Sequence, residues 1–226
     1  MREEIFVLPG VGAGDIPISL WTPTATPRGF VLVGHGLGVN RQHDSIQRVV
    51  RALTDVHELA VIAPDLPLHG RRNGHPIDPP ELVARWQTFW ADGGVRLLEK
   101  EWREIHAFGR DRFAELPCAY FGLSLGTQYG VVFLATAPSI TSAVLGLFGS
   151  RPPPLTPVMN SFAPRVRCPV YFIQKQHDEI HPLETTDHLF SILGTADKVL
   201  DSSPGLHGEV SGITLKSACT FISTHM

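Results

Sequence analysis

The sequence predicts an α/β fold, built on a mostly parallel, doubly wound sheet with helices on both faces. From residue 29 onward, segments with strand character alternate with segments of helical spacing, as crossover connections in a parallel sheet require. The runs "GFVLVGHG" and "LAVIAPDL" are continuously apolar, which is typical of strands covered on both faces. The 226 residues suit a single domain over 1–226, and we expect no large inserted domain.

Each element has its own local signal. "EEIFVL" and "IPISLWTP" predict two strands, which the glycine-rich turn 10–15 joins into an antiparallel hairpin at the sheet edge. Apolar residues at 46, 49, 50 and 53 predict a helix over 44–58. A helical region over about 80–108 is divided at Gly93-Gly94. We further predict strands over 59–66, 117–123, 140–149, 168–174 and 197–203, helices over 125–137, 182–193 and 208–224, and a proline-rich loop over 151–157.

Composition argues against several classes of protein. The formal net charge of −3 is unlike the basic surface that a nucleic-acid partner needs. No apolar stretch reaches the roughly 18 residues of a membrane span, and "MREEIFVLPG" does not resemble a signal peptide. Cys118, Cys168 and Cys219 lie in or beside apolar runs, which predicts buried free thiols in a reducing compartment. We therefore expect a cytoplasmic protein.

The stretch "GLSLG", residues 122–126, matches the pattern G-x-S-x-G. The bare motif is only moderately specific, but here a buried strand precedes it and a helix follows it. A serine at such a corner needs unfavourable backbone angles, and flanking glycines remove the resulting clashes. The first N–H groups of the helix face a developing anion. Ser124 is therefore predicted to be a nucleophile, whereas the simpler alternative is a helix cap.

A serine nucleophile needs a base and a carboxylate that orients the base. Ligands of a doubly wound sheet bind beyond the carboxyl ends of its strands, so both partners should follow later strands. Asp178 follows the strand "PVYFIQ", and His207 follows the strand "KVLDSS". The sequence thus predicts Asp178 as the acid and His207 as the base, and leaves Glu179 as an alternative acid.

Five motifs in order give the chain a resemblance to the α/β-hydrolase superfamily over nearly its whole length. "GHGLG" resembles the oxyanion loop after the third strand, and "DLPLHGRR" the Asp-x-x-x-x-His-Gly stretch after the fourth. "GLSLG" resembles the nucleophile elbow, "HDEIHP" the acid loop and "GLHGE" the histidine loop. The small size and the lack of a cap domain resemble the dienelactone hydrolase-like branch. Dienelactone hydrolases carry a cysteine nucleophile, so Ser124 argues against a dienelactone substrate.

The resemblance implies a serine hydrolase that acts on a carboxylic ester, thioester or lactone. Its oxyanion hole is expected to consist of the main-chain N–H groups of Leu37 and Leu125. The short segment between the sixth and seventh strands implies an open site, which favours short to medium acyl groups. The implied partner is a small-molecule acyl substrate, and neither a cofactor nor a metal is implied.

Four side chains are candidates for substrate binding. Arg71 and Arg72 follow a His-Gly turn and are candidates to grip a substrate carboxylate, with solvated or salt-bridged arginines as the alternative. Met159 and Phe162 follow the proline-rich stretch and are candidates to line the acyl pocket.

Histidines and aromatic residues outside the motifs have structural interpretations. His35 and His69 lie in His-Gly turns, where we expect ring hydrogen bonds that hold loops. His177 and His181 lie in a loop without the His-Glu-x-x-His pattern, so we expect no metal site there. We expect the aromatic residues after the fourth strand to pack in the core, with a lid over the site as the alternative; these are Trp86, Phe89, Trp90 and Trp102.

Three other functions share this sequence pattern. An acyltransferase uses the same acyl-enzyme with an alcohol or amine in place of water. A lyase on the same scaffold needs no acylation, and a receptor keeps only the fold. The oligomeric state also stays open, with a homodimer among the options.

Overall fold

A computed structural model describes residues 1–226 of the chain except 11, 13, 75, 76, 138 and 151–155. Eight strands form one sheet in the described part of the chain: β1 (Arg2–Leu8), β2 (Ile16–Thr22), β3 (Phe30–Gly34), β4 (Ala60–Pro64), β5 (Cys118–Gly122), β6 (Ile140–Gly146), β7 (Val170–Lys175) and β8 (Lys198–Ser203). Their order across the sheet is β1-β2-β4-β3-β5-β6-β7-β8. All neighbours from β4 to β8 are parallel, whereas β1–β2 and β2–β4 are antiparallel. The predicted parallel sheet with an antiparallel edge hairpin is confirmed.

Helices cover both faces of this sheet. They are α1 (Asp44–Arg51), α2 (Pro79–Ala91), α3 (Gly94–Phe113), α4 (Leu125–Leu134), α5 (Thr156–Phe162), α6 (Leu183–Ile192) and α7 (Gly212–Thr224). The predicted break between α2 and α3 is confirmed, and Gly93 there has a φ of +87°, which favours glycine. None of the helices in the described ranges has the length and apolarity needed to cross a membrane.

The structure corrects the predicted elements at three points. The helix predicted over 44–58 ends at Arg51 and continues as a wider turn over Ala52–Val56, where the Thr54 hydroxyl donates to the carbonyl of Val50 at 2.9 Å. The last helix begins at Gly212, because the side chain of Ser211 caps it. Helix α5 was not predicted. Most of the proline-rich loop predicted over 151–157 lies outside the described residues.

The core has two layers, one on each face of the sheet. Consecutive residues of β3 point to opposite faces and are all buried, so Phe30 belongs to one layer and Val31 to the other. The first layer contains Trp90 and Trp102, with Trp86 and Phe89 packed against it. The expectation that these aromatic residues pack in the core is confirmed.

The strand order reverses at β3, which lies between β4 and β5. Parallel sheets bind ligands at such a reversal, because the loops after the two adjacent strands leave in opposite directions and open a crevice. Gly34 at the end of β3 is paired with Gly122 at the end of β5. The loop after β3 and the corner after β5 therefore flank the same crevice.

A buried ion pair anchors the loops beside this crevice. The Arg41 guanidinium donates to the carboxylate of Asp65, and the two side chains are 4% and 0% exposed. The same carboxylate accepts the main-chain N–H of Arg71 at 2.9 Å, while Ser19 accepts from Arg41 at 3.1 Å. Gly70 is required at this point, because a Cβ there would overlap the Asp65 carboxylate. One carboxylate thus joins the loop after β3 to the loop after β4.

Replacing Asp65 should therefore destabilise the fold strongly. We expect Asp65→Ala to lower the free energy of unfolding by about 3–5 kcal/mol, because it leaves the Arg41 charge buried without a partner. Urea denaturation measures this change. The matched control is Glu81→Ala, which breaks the exposed pair between Glu81 and Arg85 and should cost at most about 1 kcal/mol. Equal, small losses in both variants would contradict the anchoring role.

Candidate active site

Ser124 occupies a sharp corner between β5 and α4. Its φ is +57° and its ψ is −119°, a backbone conformation that costs a residue with a side chain about 1–3 kcal/mol. Its main-chain N–H donates to the carbonyl of Gly146, at the end of β6, over 2.9 Å. The surroundings therefore hold Ser124 in a strained conformation at the carboxyl end of the sheet.

Gly122 and Gly126 are required because three backbone segments meet at this corner. A Cβ on Gly122 would lie 2.6 Å from the carbonyl oxygen of Gly126. A Cβ on Gly126 would overlap the carbonyl of Gly34 on β3. Any larger residue would therefore have to push β3 and α4 apart.

Two buried hydroxyls hold the corner together. The Thr127 hydroxyl lies 2.8 Å from the carbonyl oxygen of Gly122 and accepts the N–H of Gly146 at 2.7 Å. The phenol of Tyr120 donates to the carbonyl of Gly126 at 2.6 Å. The sequence analysis does not assign Thr127 a role. Its polar side chain in the otherwise apolar helix after the Gly-x-Ser-x-Gly motif is the signal that could have identified it.

Ser124, His207 and Asp178 form a hydrogen-bonded line. The Ser124 hydroxyl oxygen lies 3.0 Å from Nε2 of His207, and Nδ1 of His207 lies 2.8 Å from Oδ2 of Asp178. A carboxylate only accepts, so Nδ1 carries the proton of the neutral ring and Nε2 is free to accept from the serine. The structure thus brings together the three side chains that sequence reasoning paired from loops after β5, β7 and β8.

Asp178 is held as an anion by several donors. Its Oδ1 accepts the main-chain N–H groups of Ile180 at 2.9 Å and His181 at 2.8 Å. Burial opposes the charge, yet the pKa of Asp178 is lowered below 3.8 because the His181 N–H, the His207 ring and the Ile180 N–H stabilise the carboxylate. Asp178 therefore stays ionised wherever the histidine is neutral.

Glu179, the alternative acid, has a different contact. Its carboxylate accepts the main-chain N–H of His207 at 2.9 Å, whereas the ring of His207 contacts Asp178. That main-chain hydrogen bond is the chief reason why the pKa of Glu179 is lowered below 4.5. In this arrangement Glu179 holds the histidine loop and Asp178 orients the ring.

The amides of Leu125 and Leu37 remain the predicted oxyanion donors. Leu125 is the first residue of α4, and Leu37 lines the crevice beside Ser124. In the described part of the chain, neither N–H donates a hydrogen bond to the protein. A free N–H at a helix start attracts negative charge, as the prediction requires.

His35 and His69 position the loop that carries Leu37. His35 donates from Nδ1 to the carbonyl of Gly36 at 2.8 Å and accepts the N–H of Leu66 at 3.0 Å. His69 accepts the N–H of Gly38 at 3.0 Å and donates to the carbonyl of Pro67 at 2.8 Å. The peptide groups on both sides of Leu37 are thus tied to the loop after β4. The expected structural hydrogen bonds of both rings are confirmed.

Burial keeps these histidines neutral. It is the main reason why the pKa of His35 is lowered from 6.5 to about 3, and it also lowers the pKa of His69. His181 packs between Phe148 and His207, with ring centroids 4.7 Å and 5.6 Å away. Burial and the neighbouring His207 lower the pKa of His181 to about 4.

Two spaces open beside this line of residues. The first, the apolar chamber, has a volume of about 290 Å³ and is lined by Ser124 and His207 together with apolar side chains of α1 and α7. The second, the open groove, has a volume of about 890 Å³ and extends from the loop after β3 to the first turn of α2. Leu37 and Val39 border both spaces.

Arg71 lies on the open groove and Arg72 does not. The Arg71 side chain is exposed and lines the groove. Arg72 is turned inward, where its guanidinium donates two hydrogen bonds to the carboxylate of Glu101 at 2.5 Å and 2.8 Å. Both of these side chains are at most 3% exposed. The prediction that Arg72 contacts a substrate carboxylate is therefore wrong, because Glu101 already occupies its guanidinium.

Met159 and Phe162 are also turned away from the site. Met159 is fully buried in the first core layer, and Phe162 packs against the same layer. Neither side chain lines the apolar chamber or the open groove. The prediction that Met159 lines an acyl pocket is wrong, because its side chain is fully buried in the core. Phe162 is half-buried against the same layer and lines neither of the two spaces, so its role stays a prediction.

Acidic, histidine and cysteine side chains are the usual ligands of metal ions in proteins. In the described residues, no three of them are arranged to hold a metal ion.

Solved structures resemble the chain over nearly its full length. An esterase described as cold-adapted, from an Arctic intertidal metagenomic library and bound to PEG, is 27% identical with a TM-score of 0.88, covering 99% of this chain and 94% of the esterase. A thermostable carboxyl esterase from Bacillus coagulans is 15% identical with a TM-score of 0.80, and the match covers 100% of this chain and 99% of that esterase. A dienelactone hydrolase from Anabaena variabilis is 20% identical with a TM-score of 0.71, and the match covers 100% of this chain and 97% of that hydrolase.

The chain has the α/β-hydrolase fold. This confirms the fold class predicted from the motifs, and no large extra domain is inserted among the described residues. No protein-family model matches the sequence. A comparison with curated proteins found no match either.

The buried histidines of this fold predict acid sensitivity. The unfolded chain binds a proton at His35 below pH 6.5, whereas the folded chain does so only near pH 3. The contribution of His35 to stability is therefore complete above pH 6.5 and is lost as the pH falls from 6.5 towards 3. We expect His35→Gln to reduce the pH dependence of the unfolding free energy by about 1.4 kcal/mol per pH unit in this range. Urea denaturation at pH 7, 6 and 5 measures it, and an identical slope in both proteins would contradict the assignment.

Proposed function

We propose that this α/β hydrolase is a serine hydrolase that cleaves a carboxylic ester, thioester or lactone through an acyl-enzyme. The observation that carries the proposal is the line from Ser124 to His207 to Asp178, with contacts of 3.0 Å and 2.8 Å. The named neighbours include a cold-adapted esterase that is 27% identical and a carboxyl esterase from Bacillus coagulans. Both point to the ester class.

Acylation begins when the Ser124 hydroxyl attacks the carbonyl carbon and passes its proton to Nε2 of His207. The ring becomes an imidazolium, which the anionic Asp178 stabilises and orients. The negative charge on the carbonyl oxygen is received by the N–H groups of Leu125 and Leu37. These donors are held in place before the substrate arrives, and one such donor typically contributes about 10²–10³ in rate.

Acylation ends when His207 gives its proton to the leaving oxygen and the bond between that oxygen and the carbonyl carbon breaks. In deacylation His207 accepts a proton from the attacking water and then returns it to the Ser124 oxygen. The second tetrahedral adduct collapses, releases the carboxylic acid and restores the Ser124 hydroxyl. Every proton moves through one histidine, so no step needs a metal or a cofactor.

Short to medium acyl groups suit the open groove. The groove is wide and solvent-accessible, so a long acyl chain would bury little of its apolar surface there and gain little binding energy. Arg71 offers a further contact in this groove, since its side chain lines the groove and makes no ion pair among the described residues. A substrate carboxylate is one group that the Arg71 guanidinium could bind by charge-assisted hydrogen bonds.

A reducing, cytoplasmic setting is the location that we propose. Cys118, Cys168 and Cys219 are free, and Cys118 and Cys219 are buried. Burial raises the pKa of Cys168 and Cys219 to about 12, so these thiols are poor nucleophiles.

Removal of the Ser124 hydroxyl is the direct test. We expect Ser124→Ala to lower kcat for short-chain esters by about 10⁴–10⁶-fold and to abolish labelling by a fluorophosphonate probe, while the circular dichroism spectrum is retained. The matched control is Ser191→Ala on the exposed face of α6, which should keep both activity and labelling. Full activity in Ser124→Ala would exclude it as the nucleophile.

The role of Arg71 is tested with paired substrates. We expect Arg71→Gln to lower kcat/KM about tenfold for a monoester of a dicarboxylic acid, relative to a neutral ester of equal length, because a charge-assisted hydrogen bond is lost. The matched control is Arg85→Gln, since Arg85 is an exposed arginine of α2 that does not line the groove. An equal loss for both esters would show that Arg71 does not contact the carboxylate.

A further inference from the structure

The apolar chamber lies on the face of the sheet covered by α1 and α7. Ile46 and Val49 of α1 form one wall, and Leu215 of α7 forms part of the opposite wall. Phe121 and Leu147 lie at the strand ends that form its floor. Ile46, Val49, Phe121 and Leu147 are each at most 5% exposed, so the walls are fixed by the core. Such a chamber binds an apolar group by removing it from water.

A side-chain hydrogen bond joins α1 to the histidine loop beside this chamber. The Arg48 guanidinium of α1 donates to the carbonyl of Val210, in the loop that carries His207, at 3.2 Å. Both residues line the chamber. Helix α1 and the histidine loop, which both line the chamber, are thereby joined to each other.

The two spaces differ in their relation to the reacting atoms. The chamber is lined by both Ser124 and His207, whereas the described residues that line the groove include neither. Leu37 and Val39 lie between the two spaces and border both. An ester bound at Ser124 therefore has one half in the chamber and the other half across Leu37 in the groove.

The position of His207 indicates which part of the ester, the alcohol or the acyl part, lies in the chamber. The proton that His207 takes from Ser124 goes to the oxygen of the leaving alcohol, so that oxygen must lie beside Nε2 of His207. The residues that continue from His207, Gly208 and Val210, line the chamber. The carbon chain attached to the leaving oxygen therefore starts at the chamber.

On the basis of the proposed ester hydrolysis, we propose that the apolar chamber binds the alcohol part of the substrate. A volume of about 290 Å³ holds an apolar alkyl or aryl group of about ten non-hydrogen atoms, if each CH₂ or CH group takes up about as much space as a water molecule, roughly 30 Å³. The acyl part extends over Leu37 and Val39 into the open groove. The substrate class is an ester of an apolar alcohol with a short or polar acid.

The atoms balance in both half-reactions. The Oγ–acyl bond forms as the bond between the carbonyl carbon and the alcohol oxygen breaks, and the serine proton reaches the alcohol through His207. The free alcohol then leaves the chamber. Water adds to the acyl-enzyme, releases the acid and returns a proton to Ser124.

The test uses two ester series, acetates from methyl to octyl and methyl esters from acetate to octanoate. We expect kcat/KM of the wild-type protein to rise about threefold per methylene along the alcohol series, up to about eight carbons, and to change little along the acyl series. Leu215→Phe fills the chamber and should lower the octyl-to-methyl ratio of the acetates about tenfold. The control is Ile213→Phe on the same helix, whose side chain is 81% exposed and should leave that ratio unchanged.

Leu215→Ala gives the opposite change and keeps the test decisive if the larger side chain disturbs folding. It should raise the relative kcat/KM for branched alcohols, such as the 2-ethylhexyl ester. If the variants change the acyl series instead, the assignment of the two halves is overturned. If neither series changes while esters are still cleaved, the chamber is not a substrate site and the proposed ester hydrolysis stands. If the folded wild-type protein cleaves no ester of either series, the proposed hydrolysis itself fails.

Discussion

The close approach of backbone at Gly34, Gly122 and Gly126 is the constraint on which the rest of the site depends. Helix α4 starts so near the end of β3 that no Cβ fits between them. This contact forces the chain between β5 and α4 through a sharp corner and holds Ser124 at positive φ. The strain is sustained because Thr127 and Tyr120 tie the neighbouring carbonyls from beneath. If Ser124 adopted an ordinary backbone conformation, its hydroxyl would no longer point towards His207 and the N–H of Leu125 would no longer be free.

The loop on the other side of the crevice is fixed by different chemistry. His35 and His69 act as neutral, buried cross-links that each hold one N–H and one carbonyl, and Asp65 holds the same two loops through charge. Rings that accept a main-chain N–H cannot also take up a proton there, so this loop geometry depends on histidines that stay neutral. The amide of Leu37 is positioned in advance, which is the form of positioning that reduces reorganisation during a reaction.

The sequence was informative where one local pattern determines the backbone. Gly-x-Ser-x-Gly after a buried run predicts the corner, and chain order after later strands predicts that Asp178 and His207 meet it. The failures concern the direction of side chains. Arg72 turns inward to pair with Glu101 on α3, and Met159 is buried on α5 in the core. Both facts depend on tertiary packing that has no signal in the neighbouring residues.

The position of β3 between β4 and β5 has a consequence for how the protein folds. Gly34 pairs with Gly122, so the two sides of the crevice come from residues far apart in the chain, and the histidine loop follows only after β8. Contacts of such long range form late, because a large loop must close before they contribute any free energy. A chain that had paired only β1, β2, β4 and β3 would leave an edge of β3 exposed and would have no crevice. During refolding, the crevice can therefore form only after nearly the whole sheet has formed, so its formation marks the completion of the sheet.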